Sequence, residues 1–389
     1  MFVELHIIQN FAPSNLNRSD TGSPKDCEFG GVRRARISSQ CLKRAMRRES
    51  DSFSSFIEKH GGGVRTRRLI LEISEKVSGQ KPAPEKTINL VAEVFNEGGI
   101  ERPKKGEEGE KDNTKLILFM DQQAIEAMAQ EFRNNWDKLN GKDKEARQGT
   151  ITRLSKILAE SIKSPDIALF GRMIEIKGDK PFGKAQLGLD AACQVAHAIS
   201  THKSGIEFDF YTAVDELLQS GETGAGMMGT IEFNSACFYR YANVDLEQLK
   251  KNLGGNESNE SLAVDTLEAF LRASVEAVPS GKQNSMAAHN PPSFIFAVVR
   301  KSGVWSLANA FVKPVRPKGD SDPVEESVKQ LDEYWGQLTT AYGSGQIKDK
   351  CYVHLAGTEL EKLNGSRVGN LDELVKRVRD AVKVESKAS

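Results

Sequence analysis

The sequence of 389 residues has no excess charge of either sign, because 54 Lys and Arg balance 54 Asp and Glu. This balance excludes a chain that is basic throughout and binds nucleic acid with its whole surface, and it excludes an acidic disordered chain. With 38% hydrophobic and 28% charged residues, the composition is typical of a soluble globular protein. The length fits two or three domains of about 100–200 residues each.

Long hydrophobic runs and paired cysteines are also missing. No stretch approaches the ~18 apolar residues of a membrane-spanning helix, so none is predicted. The first residues, MFVELHIIQNF, have neither a basic flank nor a small-residue cleavage site, which predicts no signal peptide. The five cysteines are scattered without a C-x-x-C pair, and this spacing predicts reduced thiols in a cytoplasmic protein.

Catalytic and cofactor motifs are absent as well. The sequence has no G-x-S-x-G, no Walker loop and no G-x-G-x-x-G after a strand. His197, His202 and Cys193 lack a further zinc ligand nearby. We therefore expect no catalytic residue, no metal and no cofactor. One alternative stays open: Asp20 and Asp26 lie beside a basic segment, where carboxylates either support metal-assisted strand cleavage or offset neighbouring arginines.

The sequence contains strand and helix patterns that alternate along the chain. The first ten residues predict a strand, followed by a polar loop over 10–31 and a helix in RISSQCLKRAMRRE. Residues 61–165 predict a helical insertion, with helices in DQQAIEAMAQEFRNNW and ITRLSKILAESI and a charge-dense loop near 101–113. Further strands are predicted in CQVAHAISTH, IEFNSACFYRYANV and PSFIFAVVRK, with helices in NVDLEQLKKNL and SLAVDTLEAFLRASVEAV. This order predicts an α+β fold with an antiparallel sheet backed by helices. A polar, frayed tail is expected after Lys383.

One segment of this neutral chain is strongly basic. From 29 to 48 there is no acid and there are seven cations: Arg33, Arg34, Arg36, Lys43, Arg44, Arg47 and Arg48. Helical spacing places Gln40, Lys43, Arg44 and Arg47 on one face, and the apolar Leu42, Ala45 and Met46 on the other. Ser38 or Ser39 is placed to cap the helix, whose N-terminus attracts phosphate. The segment predicts either a fixed phosphate-binding face or a solvated basic face.

The opposite pattern occurs over 204–239, which has no Lys or Arg but has six acids: Glu207, Asp209, Asp215, Glu216, Glu222 and Glu232. Its position between two strand patterns predicts a protruding hairpin. An acidic arm and a basic face on one chain predict head-to-tail self-association, while an acidic loop without a partner is the alternative. At its start, Phe208, Phe210 and Tyr211 are placed either to stack on bases or to lie in the core.

A third feature is the basic cluster Lys313, Arg316 and Lys318 in FVKPVRPKGD. Two prolines stiffen this segment and hold its charges in place. Alone, the cluster is equally consistent with a solvated linker.

These features belong to a series of motifs that covers most of the chain and resembles the backbone subunit (the Cas-seven, CasC-type family) of the type I-E CRISPR Cascade surveillance complex. The motifs are LNR with Asp20, FGG-VRRARISSQ-LKRAMR from Phe29, GRM, AHAI-TH, TAVDEL, FYRYANV, NLGG, VP-GKQ, AAHNP and ANAF. The long RRARISSQ-LKRAMR motif carries most of the resemblance.

The resemblance implies an α+β, RNA-recognition-motif-like (ferredoxin-like) antiparallel-sheet palm with a helical fingers insertion and a protruding thumb hairpin. The palm then comprises residues 1–60, 166–203 and 231–389, the fingers 61–165, and the thumb 204–230. It implies an RNA-binding site at Arg18, Lys25, Ser38, Gln40, Lys43, Arg44, Arg47, Met173, Phe210, Tyr211, Thr212, Lys313, Arg316 and Lys318.

The resemblance further implies a binding protein that is not an enzyme. Several copies, joined head to tail in a filament, grip the backbone of the guide RNA (crRNA) and present its bases to a target DNA strand in antiviral defence. The other implied partners are the remaining Cascade subunits, namely the large, small, CasD-type and CasE-type subunits. The alternative is a guide-bound endoribonuclease that cuts complementary RNA with Asp20 or Asp26.

Overall fold

The computed structural model describes residues 1–103, 113–161, 163–174, 176, 179–185, 187–214, 225–255, 258–317, 319–356 and 360–383. Some predicted features lie outside these residues: Lys318, three acids of the predicted arm (Asp215, Glu216 and Glu222), most of the charge-dense loop and the tail after Lys383. The described residues form two compact units. The first takes those within Met1–Ser54, Gln194–Asp245 and Leu267–Ser389, and the second those within Ser55–Cys193 and Leu246–Thr266.

The elements follow one another along the chain as strands and helices of both units. The strands are β1 (Phe2–Ser14), β2 (Asp26–Phe29), β3 (Val32–Ile37), β4 (Gly63–Thr66), β5 (Leu118–Asp121), β6 (Cys193–Val195), β7 (Ala198–Ser200), β8 (Glu207–Val214), β9 (Ala225–Asp245), β10 (Phe294–Arg300) and β11 (Ile347–His354). The first helices are α1 (Ser39–Arg48), α2 (Asp51–His60), α3 (Leu69–Ser78), α4 (Glu85–Gly98), α5 (Gln122–Asn140), α6 (Lys144–Glu160) and α7 (Pro165–Phe170). The later ones are α8 (Pro181–Lys184), α9 (Leu246–Asn252), α10 (Ser258–Glu276), α11 (Gln283–Met286), α12 (Pro323–Tyr342) and α13 (Leu371–Lys383), with a 3-10 turn at Ala308–Phe311.

The first unit is built on a nine-stranded sheet in the order β11-β10-β1-β9-β7-β3-β2, with β6 and β8 also paired to β9. The pairings along this order, and that of β8 with β9, are antiparallel. The strand β1 lies in the middle and is buried on both faces, so its alternating residues face two different layers.

One face of this sheet packs on α12. Ile8, Tyr239 and Phe296 from the sheet share a core with Leu331 and Trp335 of that helix. On the other face, Leu5 and Ile7 meet Leu42 and Met46 of α1 around a small enclosed cavity. The apolar side of α1 is therefore fixed against the sheet, as its helical spacing predicts.

Two titratable groups are buried in the α12 face. The carboxylate of Glu4 accepts hydrogen bonds from the Tyr241 hydroxyl (2.9 Å) and the Trp305 amide (2.5 Å), and burial raises its pKa to about 7. His6 Nδ1 lies 2.9 Å from the Tyr239 hydroxyl, and burial lowers the pKa of His6 to about 3.

The second unit combines the two-stranded sheet β4–β5 with helices α3 to α9. Its core is formed by apolar faces of α3, α4, α5 and α6, where Ile73, Val91, Phe95, Phe132 and Leu154 are fully buried. The helices predicted in DQQAIEAMAQEFRNNW and ITRLSKILAESI are confirmed as α5 and α6.

The sequence-based α+β prediction is confirmed as a mixed fold with an antiparallel sheet and thirteen described α-helices. Two local predictions were wrong: the first strand continues to Ser14, and the polar loop over 10–31 contains β2. The palm, fingers and thumb boundaries stay a prediction. Within the described ranges, no helix has the length and apolarity needed to cross a membrane.

Candidate nucleic-acid interface

The helix α1 begins as the sequence predicts. Ser38 is the N-cap, and its hydroxyl accepts a hydrogen bond from the Cys41 amide (3.3 Å). The Ser38 amide donates in turn to the Asn17 side chain (2.8 Å), which joins the start of α1 to the preceding loop. No acidic residue lies in the first turn, so the positive end of the helix is not offset locally.

The four residues of the predicted basic face differ in exposure. Gln40 and Arg44 are exposed and Lys43 is half-buried, but Arg47 is buried with only 6% of its surface exposed. Arg47 therefore differs in exposure from the other three, and its assignment to the RNA-binding site stays a prediction. The chain just after α1 contacts the end of α10. In that contact, the hydroxyls of Ser50 and Ser52 donate to Glu276.

The loop that carries Arg18, residues 15–25, folds back on itself beside α1, and we call it the Arg18 loop. Arg18 and Pro24 form an isolated antiparallel β-bridge, and the Lys25 amide donates a hydrogen bond to the Asn17 carbonyl (2.9 Å). The Lys25 carbonyl accepts from the Arg36 amide of β3 (2.9 Å). These bonds give the exposed Arg18 and the half-buried Lys25 defined positions.

Two open grooves flank the Arg18 loop. The first, of about 530 Å³, brings Arg18 and Arg44 together with residues 279–281. At Gly281 a Cβ atom would overlap the Leu16 carbonyl oxygen, so only glycine allows this approach. The structure thus gives the VP-GKQ motif a place in the site that sequence reasoning had missed.

The second groove, of about 820 Å³, contains Lys25, Arg33 and Arg36 and reaches Phe208. Ser19 and Asp20 line both grooves. Asp26 forms an ion pair with Arg33, whereas Asp20 is exposed on the loop. The two carboxylates singled out from the sequence therefore have different environments.

His197 is a further residue at this site that sequence reasoning missed, having considered it only as a zinc ligand. Its Nδ1 lies 3.1 Å from Arg36 Nη1 and accepts a hydrogen bond from the Ser39 amide (3.4 Å). Burial, Arg36 and Lys25 lower the pKa of His197, which favours the neutral ring. The AHAI-TH motif that contains it was the available signal.

The described part of the predicted arm is the antiparallel hairpin β8–β9. Phe208 and Phe210 are 69% and 64% exposed, and Tyr211 is 37% exposed, so the alternative that these rings are core residues is wrong. Tyr211 nevertheless lies over its cross-strand partner Gly229, where a Cβ atom would overlap the ring. The exposed Thr212 follows it. By contrast, Phe238, Tyr239 and Tyr241 of β9 are buried in the core.

Two of the three residues in the predicted C-terminal basic cluster are described. Lys313 and Arg316 are exposed, while Phe311 and Val315 beside them are buried at 0% and 3% exposure. The segment is therefore anchored by apolar residues and displays its charges outward.

Met173 belongs to the second unit and is 99% exposed. The residue before it, Arg172, is buried and donates to the carbonyls of Leu187 (2.7 Å) and Phe119 (3.3 Å). Gly171 has a φ of +74°, which favours glycine. In the GRM motif, Gly171 thus allows the positive φ, the buried Arg172 fixes the backbone, and Met173 is exposed to solvent.

Comparisons with known proteins agree over almost the whole chain. A family model described as "CT1975-like protein" matches residues 3–377. The chain is similar to one in the solved structure "CRISPR RNA-guided surveillance complex, pre-nicking", with 30% identity, a TM-score of 0.81 and coverage of 98% of this chain and 100% of that chain. A second, "CRISPR RNA-guided surveillance complex", has 26% identity, a TM-score of 0.72 and the same coverages. No curated protein sequence gives a significant match.

Proposed function

This chain belongs to the CT1975-like protein family, and we propose that it is the guide-RNA-binding backbone subunit of a type I-E CRISPR Cascade complex. It binds and presents the guide and is not itself an enzyme. The similarity to chains of CRISPR RNA-guided surveillance complexes supports membership of such an assembly.

The observation that carries the proposal is the grouping of cations around the Arg18 loop. A chain with zero net charge places Arg18 and Arg44 in one groove and Lys25 and Arg36 in the next. Cations and helix N-termini bind phosphate without reading bases, which suits a protein that must hold any guide sequence. Base edges then stay free to pair with the target DNA strand.

In this proposal the first unit's sheet is the RNA-recognition-motif-like palm, and the hairpin β8–β9 is the thumb. Several copies join head to tail along the guide, together with the large, small, CasD-type and CasE-type subunits. The acids Glu207 and Asp209 repel phosphate, so they serve contacts between copies, while Phe208 and Phe210 stack on bases. Met173 approaches the bases, and Lys313 and Arg316 approach the backbone.

The test uses the full-length protein with two guide RNAs of unrelated spacer sequence. We expect equal affinities for both guides, a strong decrease of affinity with salt, and defined multimers whose size follows guide length. A stable two-fold dimer that forms without RNA would contradict the proposal, because such an interface closes on itself.

The rival function, a guide-bound endoribonuclease, retains one favourable observation. Asp20 is exposed where the two grooves meet, whereas Asp26 is paired with Arg33. Incubating the guide complex with complementary RNA and magnesium separates the two functions. Binding alone predicts intact RNA; periodic cuts that disappear in Asp20→Asn would establish the rival.

A further inference from the structure

Arg34 belongs to the basic segment over 29–48, and it is 0% exposed. Its five N–H donors face backbone carbonyls. Nε lies 3.1 Å from Phe29 O, Nη1 lies 3.1 and 2.7 Å from the carbonyls of Ser200 and Thr201, and Nη2 lies 2.7 and 3.4 Å from those of Phe311 and Val312. Within the described part of the chain, no carboxylate pairs with it.

These carbonyls come from three separate segments: the end of β2, the end of β7 and residues 311–316, which we call the strap. The Thr201 carbonyl that accepts from Arg34 also accepts from the Val315 amide (2.9 Å). The hydrogen bonds to the carbonyls of Phe311 and Val312 lie before Lys313 in the chain. The hydrogen bond from the Val315 amide lies after it. The strap is thus held on both sides of its first exposed cation.

A second contact fixes the strap from the β2–β3 turn. Gly30 has a φ of +64°, and a Cβ atom there would overlap the Val312 carbonyl oxygen. Only glycine lets the turn backbone lie against the strap. Gly30 of the FGG motif and the buried Arg34 therefore both contact the Val312 carbonyl of the strap.

We propose that Arg34, assisted by Gly30, is a positioning residue that holds the strap so that Lys313 and Arg316 face the guide RNA from a fixed place. The part of this inference that concerns RNA rests on the proposed function. The choice of arginine follows from its donors: a lysine offers three donors from one nitrogen and cannot reach carbonyls of three segments at once.

The first test measures the strap without RNA. Hydrogen exchange of residues 308–317 is compared in the full-length protein and in Arg34→Gln, Arg34→Lys and Arg33→Gln. Arg33 is the adjacent arginine of β3, is exposed and pairs with Asp26, so it is the matched control. We expect the Val315 amide to exchange about tenfold faster or more in Arg34→Gln, with partial rescue in Arg34→Lys and no change in Arg33→Gln.

A folded Arg34→Gln with unchanged strap exchange would overturn the inference. If Arg34→Gln does not fold, Gly30→Ala takes its place, because it displaces the Val312 carbonyl and leaves the guanidinium intact. Unchanged strap exchange in a folded Gly30→Ala would overturn the inference equally.

The second test measures coupling in guide binding. The double variant Lys313→Ala, Arg316→Ala is expected to lower the salt slope by about 1.4, at about 0.7 per single-strand phosphate contact. Arg34→Gln should weaken binding in the same direction, and the triple variant should be no weaker than the double variant. Fully additive losses would refute positioning through the strap.

These outcomes separate the two hypotheses. If the wild-type chain does not bind guide RNA, the proposed function fails while the exchange result still decides the role of Arg34. If the double variant loses affinity but Arg34→Gln does not, the positioning role alone fails.

Discussion

Arg44 and Arg47 of α1 are one helical turn apart, and the structure predicts opposite consequences when their charges are removed. The Arg44 side chain is 67% exposed, lines the first groove and pairs with Glu49 at 2.9 Å. Arg47 is 6% exposed. Sequence spacing alone treats the two as equivalent phosphate ligands, so Arg44→Gln and Arg47→Gln test burial against spacing.

For Arg44→Gln we expect a loss in guide binding with little loss of stability. An exposed ion pair contributes at most about 1 kcal/mol to folding. Losing one phosphate contact on a single strand lowers the slope of log K against log salt by about 0.7. The ratio of wild-type to variant affinity therefore falls about 2.6-fold when the salt concentration rises from 50 to 200 mM.

For Arg47→Gln we expect the reverse. Replacing a buried arginine removes its interactions within the fold at about 1–3 kcal/mol, which lowers the melting temperature by several degrees while the salt slope stays unchanged. Arg48→Gln is the control, since Arg48 is exposed on the same helix and lines neither groove.

The assays are thermal unfolding and guide binding at four salt concentrations, with two unrelated guides. Equal loss of salt slope in Arg44→Gln and Arg47→Gln, with Arg47→Gln as stable as wild type, would refute the reasoning from burial. A loss that depends on guide sequence would refute the phosphate assignment itself.

Three further predictions concern other parts of the chain. Phe210→Ala removes an exposed ring and should leave the melting temperature unchanged within error. In chemical probing it should weaken the protection of regularly spaced guide nucleotides. An unfolded variant or an unchanged probing pattern would contradict stacking of this ring on bases. Gly171→Ala should lower the free energy of unfolding by about 1–2 kcal/mol or more, measured in urea, because φ is +74° and the new Cβ would lie 2.8 Å from Leu189 O and Ala191 N; an unchanged midpoint would contradict this. Burial lowers the pKa of His6 to about 3, so the unfolded chain binds a proton below about pH 6.5 that the folded protein does not. The His6 contribution to stability should therefore fall by about 1.4 kcal/mol per pH unit as the pH drops from 6.5 towards 3, whereas Glu4, whose pKa burial raises to about 7, offsets that fall between about pH 6.5 and 4.5. The net loss should therefore appear below about pH 4.5, and His6→Phe should remove it in urea unfolding.

Local patterns predicted the elements whose signals lie within a few residues. Ser38 caps α1, and the apolar spacing of Leu42, Ala45 and Met46 correctly predicts its buried side. The same kind of signal was present and unused near the C-terminus, where Asp322 caps α12 and Pro323 opens it. Those elements were within reach of sequence reasoning.

Local sequence patterns could not predict which individual cations are buried. Arg34 and Arg44 share one basic run, yet partners 166 to 278 residues away decide that Arg34 is enclosed. The grooves also depend on a distant segment, because residues 279–281 form one wall. The spacing of residues along a helix predicts the face on which a side chain lies. It does not predict which distant parts of the chain cover that face.

Two buried arginines of the first unit, Arg34 and Arg240, add positive charge that a count of surface cations omits. Arg34 bonds only to carbonyls, and Arg240 bonds to the Gln9 amide oxygen and the Ser274 carbonyl, at the small cavity between the sheet and α1. Neither has a carboxylate partner among the described residues. Hydrogen bonds to neutral acceptors do not cancel the charge, and a low local dielectric screens that charge weakly. A phosphate near the first unit would therefore experience a more positive potential than a count of surface cations gives. Total charge consequently says little about whether this protein binds nucleic acid, because a chain of zero net charge can still group several cations, such as Arg18, Arg44, Lys25 and Arg36, in neighbouring grooves.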